Sequence, residues 1–398
     1  MKKIPVRQLR IGMYIHEICG SWMDHPFWKS SFLLNSDQDL RALLGSSVHE
    51  VWIDPDRGLD VELGDESQSV HDSQDVLLSL EAGVKSAPPI SKATFEDEIS
   101  RAKLVHAKAR KAVVAMFSEV RMGQSIPMDQ AYPLVDEIHQ SVARNTDALL
   151  SLVRLKNADD YTYLHSVAVC ALMVALGKQM GLEGDDLRSA GVAGLLHDVG
   201  KMMVPDQVLN KPGRLTDEEF SIIQGHPLLG YEALVEAKME DPVVLDVCLH
   251  HHERMDGRGY PDKLDAEKIT LFARMGAVCD VYDAITSDRC YKKGWEPAEA
   301  IRKMVEWQEG HFDKEVFHSF IRTVGIYPQG TLVRLKSGRL ALVVEQGEHN
   351  LLTPVVKVFF SLKQNSAIQP ERIDLSKARD AIEAAEDPDP WKHLFPPL

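Results

Sequence analysis

Residues 251–261 read "HHERMDGRGYP". Two adjacent imidazoles and a glutamate run straight into a loop with two glycines and a proline. Successive helical side chains diverge by about 100°. That angle is too wide for neighbouring histidines to share one ion, but it suits two ions lying side by side. Glycine and proline then fix the backbone just beyond them. His250 extends the run to a triplet, but His251 and His252 already supply a pair, so His250 reads as a bystander. Glu253 reads as a structural acid, or as one that orients a neighbouring imidazole, rather than as a ligand.

Six of the sixteen histidines fall between 165 and 252: His165, His197, His226, His250, His251 and His252. "LLHDVGK" (195–201) sets His197 and Asp198 at the end of the apolar run "AGVAGLL", followed by Gly200, which allows a tight turn, and Lys201. An apolar helix is an expensive place for adjacent ionisable groups unless they are paired or bound to metal. "QGHP" (224–227) offers His226 as a ligand at a helix end. "VCDVYDAITSDRCYKK" (278–293) offers Asp280 and Asp283, three apart on one helix face. Taken singly, His165 and His226 read equally well as ligands or as satisfied core histidines. The plain alternative for Asp283 is a surface or capping carboxylate, and for Lys201 and Arg289 a solvated cation or an ion pair.

Imidazole nitrogen with carboxylate oxygen suits Fe, Mn, Ni or Zn and does not suit Ca. A carboxylate such as Asp198 is able to bridge two ions. Ions about 3.5–4 Å apart hold a shared water as hydroxide against a phosphodiester.

The rest of the chain narrows the setting. At 398 residues it is too long for one ordinary core. A formal net charge of −15 argues against binding nucleic acid polymer, which needs clustered Lys and Arg. It leaves room for a small anionic substrate held by local cations and metals. Five scattered cysteines without a CxxC read as reduced thiols. No apolar run reaches the roughly eighteen residues of a membrane span. The lysines at the start lack a following apolar stretch, so the expectation is a cytoplasmic protein with no membrane contact.

Residues 1–64 read as a small mixed unit: short strands at "GMYIHEI" and "HEVWIDP", and a helix at "SDQDLRALLGSS". Residues 65–94 are rich in Ser, Asp, Gly and Pro and read as a linker, with one short helix at "DVLLSLEAG" (75–83). A connector helix is expected over 95–126, because Phe95, Ile99, Ala102, Val105, Ala109, Ala112, Met116 and Val120 recur at helical spacing. Residues 127–326 are dominated by helical patterns. Residues 327–398 switch to a small antiparallel sheet, and the tail "AAEDPDPWKHLFPPL" (384–398) reads as loop.

Taken in order, "YTYLHS", "LLHDVGK", "GHP", "HHERMDGRGYP" and "DVYDAITSDRCYKK" resemble the HD-GYP domain phosphodiesterases, a branch of the HD metal-dependent phosphohydrolases. "HHExxDGxGYP" together with "HDxGK" is the specific part, and the likeness covers about residues 127–326. Residues 1–64 resemble the small domain of unknown function that often precedes HD-GYP. The resemblance implies a mainly α fold: a helical HD-type bundle, a small mixed α/β N-terminal domain and a short C-terminal antiparallel β element. It implies a substrate, cyclic di-GMP, a bacterial second messenger cleaved to pGpG and in many members to GMP, by a metal-bridging hydroxide. It implies two divalent transition-metal ions (Fe, Mn or Ni) on His165, His197, Asp198, His226, His251, His252 and Asp280. Asp198 would bridge them, and Lys201 would sit by the scissile phosphate. Asp283, Arg289 and Lys292 would line the phosphate and base pocket, with Gly259, Tyr260 and Pro261 at its mouth.

There is one departure. Some family members bind a third metal through a glutamate four residues before the first histidine; here that residue is Tyr161. A two-metal site is therefore expected, and a preference for linear pGpG is an alternative. A further alternative is a weakly active cyclic di-GMP or pGpG sensor that signals through a protein partner, with the N-terminal unit as the candidate partner-binding part.

Overall fold

The computed structural model describes residues 2–18, 32–44, 48, 50–60, 93, 95–124, 126–153, 161–211, 213, 215–287, 294–347 and 350–395. They fall into two compact units, the first made of residues 1–85 with 212–215, the second of 86–211 and 216–398.

In the first unit, β1 (Lys2–Pro5), β2 (Tyr14–Ile18), β3 (Phe32–Leu33) and β4 (Glu50–Ile53) form one sheet in the order β1-β4-β2-β3. All its pairings are antiparallel. In "EVWI" the alternation sends Val51 and Ile53 inward and leaves Trp52 half-buried. Helix α1 (Asp37–Leu44) adds Leu43 to the same core, beside Ile4, Met13 and Ile15. The expected strands and helix all form.

The second unit begins with α2 (Phe95–Arg121), which buries a stripe of Ala102, Ala109, Val113, Met116, Phe117 and Val120. Glu98 lies on that stripe too, fully buried. It accepts hydrogen bonds from Arg144 Nε at 2.7 Å, Arg144 Nη2 at 2.8 Å and Ser141 Oγ at 3.1 Å. These bonds tie α2 to α3 (Met128–Arg144), which is followed by α4 (Thr146–Val153).

Next come α5 (Tyr161–Gln179) and α6 (Gly184–Leu196). Both are apolar on every side over most of their length, the mark of helices enclosed by others. Helix α7 (Asp217–Gln224) opens with a capping box between Thr216 and Glu219. After α8 (His226–Glu236), Asp241 caps α9 (Pro242–His250) through Val243 N. Thr270 caps α10 (Leu271–Thr286), a third enclosed helix, which packs on α5 and α9. Helix α11 (Pro297–His311) is kinked at Glu309 and Gly310, and α12 (Lys314–Val324) packs back on α5 and α10.

The C-terminal strands β5 (Leu332–Leu335), β6 (Arg339–Glu345), β7 (Val355–Ser361), β8 (Ser366–Asp374) and β9 (Ile382–Ala385) form an antiparallel sheet in the order β8-β7-β6-β5-β9. The loop reading of the tail holds for residues 386–391, but its first two residues are strand and its aromatic residues are packed. Ala384 and Ala385 pair with β5, and Trp391, Leu394 and Phe395 pack on Leu332, Leu340, Leu342, Phe359 and Phe360. The Trp391 ring sits 5.0 Å from Phe360 and the Phe395 ring 5.6 Å from Phe359. The sheet is apolar on both faces, and the tail's aromatic residues cover one of them.

The linker expected over 65–94 and its helix at 75–83 lie outside the described residues, apart from Ala93. Among the described residues no helix is long and apolar enough to cross a membrane.

Candidate metal centre

The helix ends and one helix middle converge on a single buried spot. His165 comes from the first turns of α5, His197 and Asp198 from just past the end of α6, and His226 from the first residue of α8. His251 and His252 follow directly after α9, and Asp280 and Asp283 lie one turn apart in α10. All eight side chains are buried.

A glycine sets the closeness. A Cβ on Gly200 would lie 1.9 Å from His226 O and 2.5 Å from Gly230 N. Only the absence of a side chain lets the turn after Asp198 press against the start of α8. The tight turn expected at Gly200 forms, as the 3-10 turn Val199–Met203, and the missing side chain also permits this close backbone approach.

Two groups of ligand-type atoms result, and they share one residue. His165, His197, Asp198 and Asp280 make the first; Asp198, His226, His251 and His252 make the second, so the adjacent histidines expected to serve one ion each fall in one group, because they lie in the turn beyond α9 and not within the helix. Asp198 spans them, with Oδ2 3.3 Å from His165 Nε2 and Oδ1 3.1 Å from His226 Nε2. Asp280 Oδ1 lies 2.9 Å from His165 Nε2.

The hydrogen bonds on the outer edges of the rings decide which nitrogen faces inward. His197 Nδ1 lies 2.8 Å from Gly194 O, His226 Nδ1 2.7 Å from Ile223 O, and His251 Nδ1 3.0 Å from Val247 O. A carbonyl only accepts, so each Nδ1 carries the proton and each Nε2 turns a lone pair to the centre. His165 Nδ1 donates in the same way to Asp283 Oδ2 at 2.6 Å. Lone pairs then oppose one another, at 3.2 Å between His165 Nε2 and His197 Nε2 and 3.4 Å between His226 Nε2 and His251 Nε2. Asp198 Oδ1, buried, has no hydrogen-bond donor. This donor set is short of positive charge and fits divalent cations.

The electrostatics agree. Burial, reinforced by neighbouring imidazoles, pushes His251 down to about 3 and His252 well below its ordinary value. Burial also lowers His226. For His197 burial is outweighed by the Asp198 and Asp280 carboxylates, which raise it. Asp198 is held well below the usual carboxylate range against the cost of burial, chiefly by the Lys201 ammonium and His197. The neutral forms of His226, His251 and His252 and the ionised form of Asp198 are the protonation states that ligands need, and His197 is the exception.

The remaining candidates fall around this core. Lys201 Nζ sits 2.5 Å from Asp198 Oδ2 and is partly open to solvent. Asp283, expected in the substrate pocket, is buried behind His165 as the acceptor of its Nδ1–H. Tyr260 stacks on His252, ring centres 4.6 Å apart. Pro261 follows it at the loop's edge. Arg289 and Lys292 lie outside the described residues, as does the side chain of Tyr161.

Glu253 turns out to be a clasp. Its carboxylate accepts the backbone N–H groups of Asp262, Lys263 and Leu264 at 2.7, 2.9 and 3.1 Å, which closes the loop. Gly259 packs under that clasp, where a Cβ would meet Glu253 Cα at 2.4 Å. His250 points out of the centre, to Asp246 and Asp262.

Comparisons with known proteins bear on this assembly. A family described as HD domain matches residues 138–316, and a domain of unknown function (DUF3391) matches residues 1–131. A cyclic di-GMP phosphodiesterase of Pseudomonas aeruginosa is 54% identical over 98% of this chain and 93% of its own length. The cyclic di-GMP phosphodiesterase response regulator RpfG of Xanthomonas campestris is 34% identical over 47% of this chain and 50% of its own. The 3′3′-cGAMP-specific phosphodiesterase 1 of Vibrio cholerae is 34% identical over 42% of this chain and 39% of its own. The chain belongs to the HD-GYP family of metal-dependent phosphodiesterases, with a DUF3391 domain ahead of its HD domain. It is an enzyme, and its HD domain implies divalent metal.

Proposed function

We propose that the chain hydrolyses cyclic di-GMP to linear pGpG, using two divalent transition-metal ions of the Fe, Mn or Ni type. The observation that carries this reading is Asp198, whose two oxygens face two separate sets of inward-turned nitrogens. The sets would hold one ion each, His165, His197 and Asp280 on one side and His226, His251 and His252 on the other. Ions held there supply Lewis acidity, activating water and neutralising charge on a phosphate.

The protein's own groups do the rest. Asp283 and the backbone carbonyls hold the imidazoles of His165, His197, His226 and His251 in the tautomer that offers Nε2. Lys201 is placed to donate to a phosphate oxygen as negative charge gathers there. The Tyr260 ring, backed by His252, is a flat surface for a base at the pocket mouth. Arg289 and Lys292 are kept as further contacts to the phosphate and base by the family resemblance alone. The DUF3391 part is read as the regulatory or partner-binding unit.

The choice of cyclic di-GMP rests on the relative that matches nearly the whole chain and carries that name. The full set of ligand positions favours an enzyme over a silent sensor. Tyr161, in place of a third-metal glutamate, supports two metals and keeps linear pGpG in view as a substrate.

The test is chromatography of products after incubating Mn- or Fe-loaded protein with cyclic di-GMP and, separately, with pGpG. Appearance of pGpG from the cyclic substrate is the expected result. Binding without turnover would point to the sensor, and turnover of pGpG alone to the linear preference.

A further inference from the structure

We infer that His250, the third imidazole of the run, is a positioning residue that sets the Tyr260–Pro261 loop for a dinucleotide. The inference rests on the proposed reaction and concerns how its substrate is admitted.

His250 is the last residue of α9 and faces away from the centre served by His251 and His252. Its Nδ1 lies 2.8 Å from Asp246 Oδ1, one turn back on the same helix. Its Nε2 lies 3.1 Å from Asp262 Oδ2, in the residue directly after Pro261. Asp246 is itself anchored, because its Oδ2 accepts the Thr270 hydroxyl at 2.5 Å, and Thr270 caps α10. A continuous line of polar contacts therefore runs from the start of α10, through Asp246 and His250, to the loop.

The loop has other holds, among them Tyr260 N, which donates to His252 O at 3.2 Å. Glu253 grips the N–H groups of 262–264, and the kinked end of α11 takes Met255 N on His311 O at 3.3 Å and Asp256 N on Gly310 O at 2.8 Å. All of these secure backbone. Among the described contacts of residues 262–264, the His250 contact is the one that secures a side chain. Bracing there fixes how far the Tyr260 ring stands over His252. A small diester needs only the metals and would pass the loop without touching it, whereas a dinucleotide has a base to seat.

The test compares Asp262→Ala, His250→Leu and the double variant with the parent on cyclic di-GMP and on bis(p-nitrophenyl) phosphate, with metal content measured on each. Asp262 is largely exposed, so its variant keeps the test open should His250→Leu fold poorly. KM for cyclic di-GMP should rise about fivefold in each single variant, the worth of one hydrogen bond, with the double variant no worse than the singles. The kcat, the small-diester rate and the metal content should hold. An unchanged KM, or parallel losses on both substrates, overturns the inference. A parent that cleaves the small diester but not cyclic di-GMP overturns the proposed substrate, and this inference with it.

Discussion

The backbones of Gly200 and Gly230 meet so closely that a Cβ added to Gly200 would stand 2.5 Å from Gly230 N. That contact joins the turn carrying Asp198 to the helix carrying His226. Gly200→Ala should force the two apart and separate the halves of the centre. The expected cost is about 3 kcal/mol or more of stability, as for overpacking against immovable backbone. Urea unfolding and metal content should fall together. A variant with the parent midpoint and full metal would contradict this role.

Asp283 offers a direct choice between two roles. As the acceptor of His165 Nδ1–H, its removal should loosen the ring rather than the substrate. Asp283→Ala should lower metal affinity by about 10–100-fold, measured by competition with a chelator. If Asp283 served only the substrate, metal affinity would stay and KM alone would rise.

Glu253 accepts three backbone N–H groups with one carboxylate. Glu253→Ala leaves all three without that acceptor. Amide hydrogen exchange at Asp262, Lys263 and Leu264 should speed up, while amides in the enclosed helix α5 keep their protection. Unchanged exchange at those three amides would show that the clasp does not hold the loop.

Glu98, which ties α2 to α3, gives a pH signature of its own. The Arg144 hydrogen bonds, working against burial, hold its pKa below the ordinary 4.5. A depressed carboxylate contributes stability above its unfolded pKa and loses it as pH falls through the folded value. Glu98→Gln should therefore cost stability at pH 7, about 2 kcal/mol for charge-assisted bonds to a partly exposed arginine. Below pH 4.5 the gap between variant and parent should close. A gap independent of pH would place the loss elsewhere.

Much of this was legible in the sequence, and the reasons for what was not are physical. His197, Asp198, His251 and His252 declare themselves because ionisable groups beside apolar helical runs are costly unless used. Their convergence is not a local property: α5, α6, α8, α9 and α10 must pack before the distances exist. Asp283 shares a helix face with Asp280, yet only the packed structure reveals that one carboxylate faces the centre and the other backs His165. His250 looked idle because its partners, Asp246 and Asp262, are a helical turn and a loop away. The prolines of "EDPDPW" rightly announce loop, but no periodicity announces that Trp391 and Phe395 cover a sheet face.

Metal analysis of the parent and of Asp198→Ala, both purified without oxygen, tests the central claim most directly. Asp198 belongs to both ligand groups, so the parent should carry two transition-metal ions per chain. Asp198→Ala should lose both while keeping the parent's helical circular dichroism. A folded Asp198→Ala protein that retains its metal would contradict the shared-carboxylate centre.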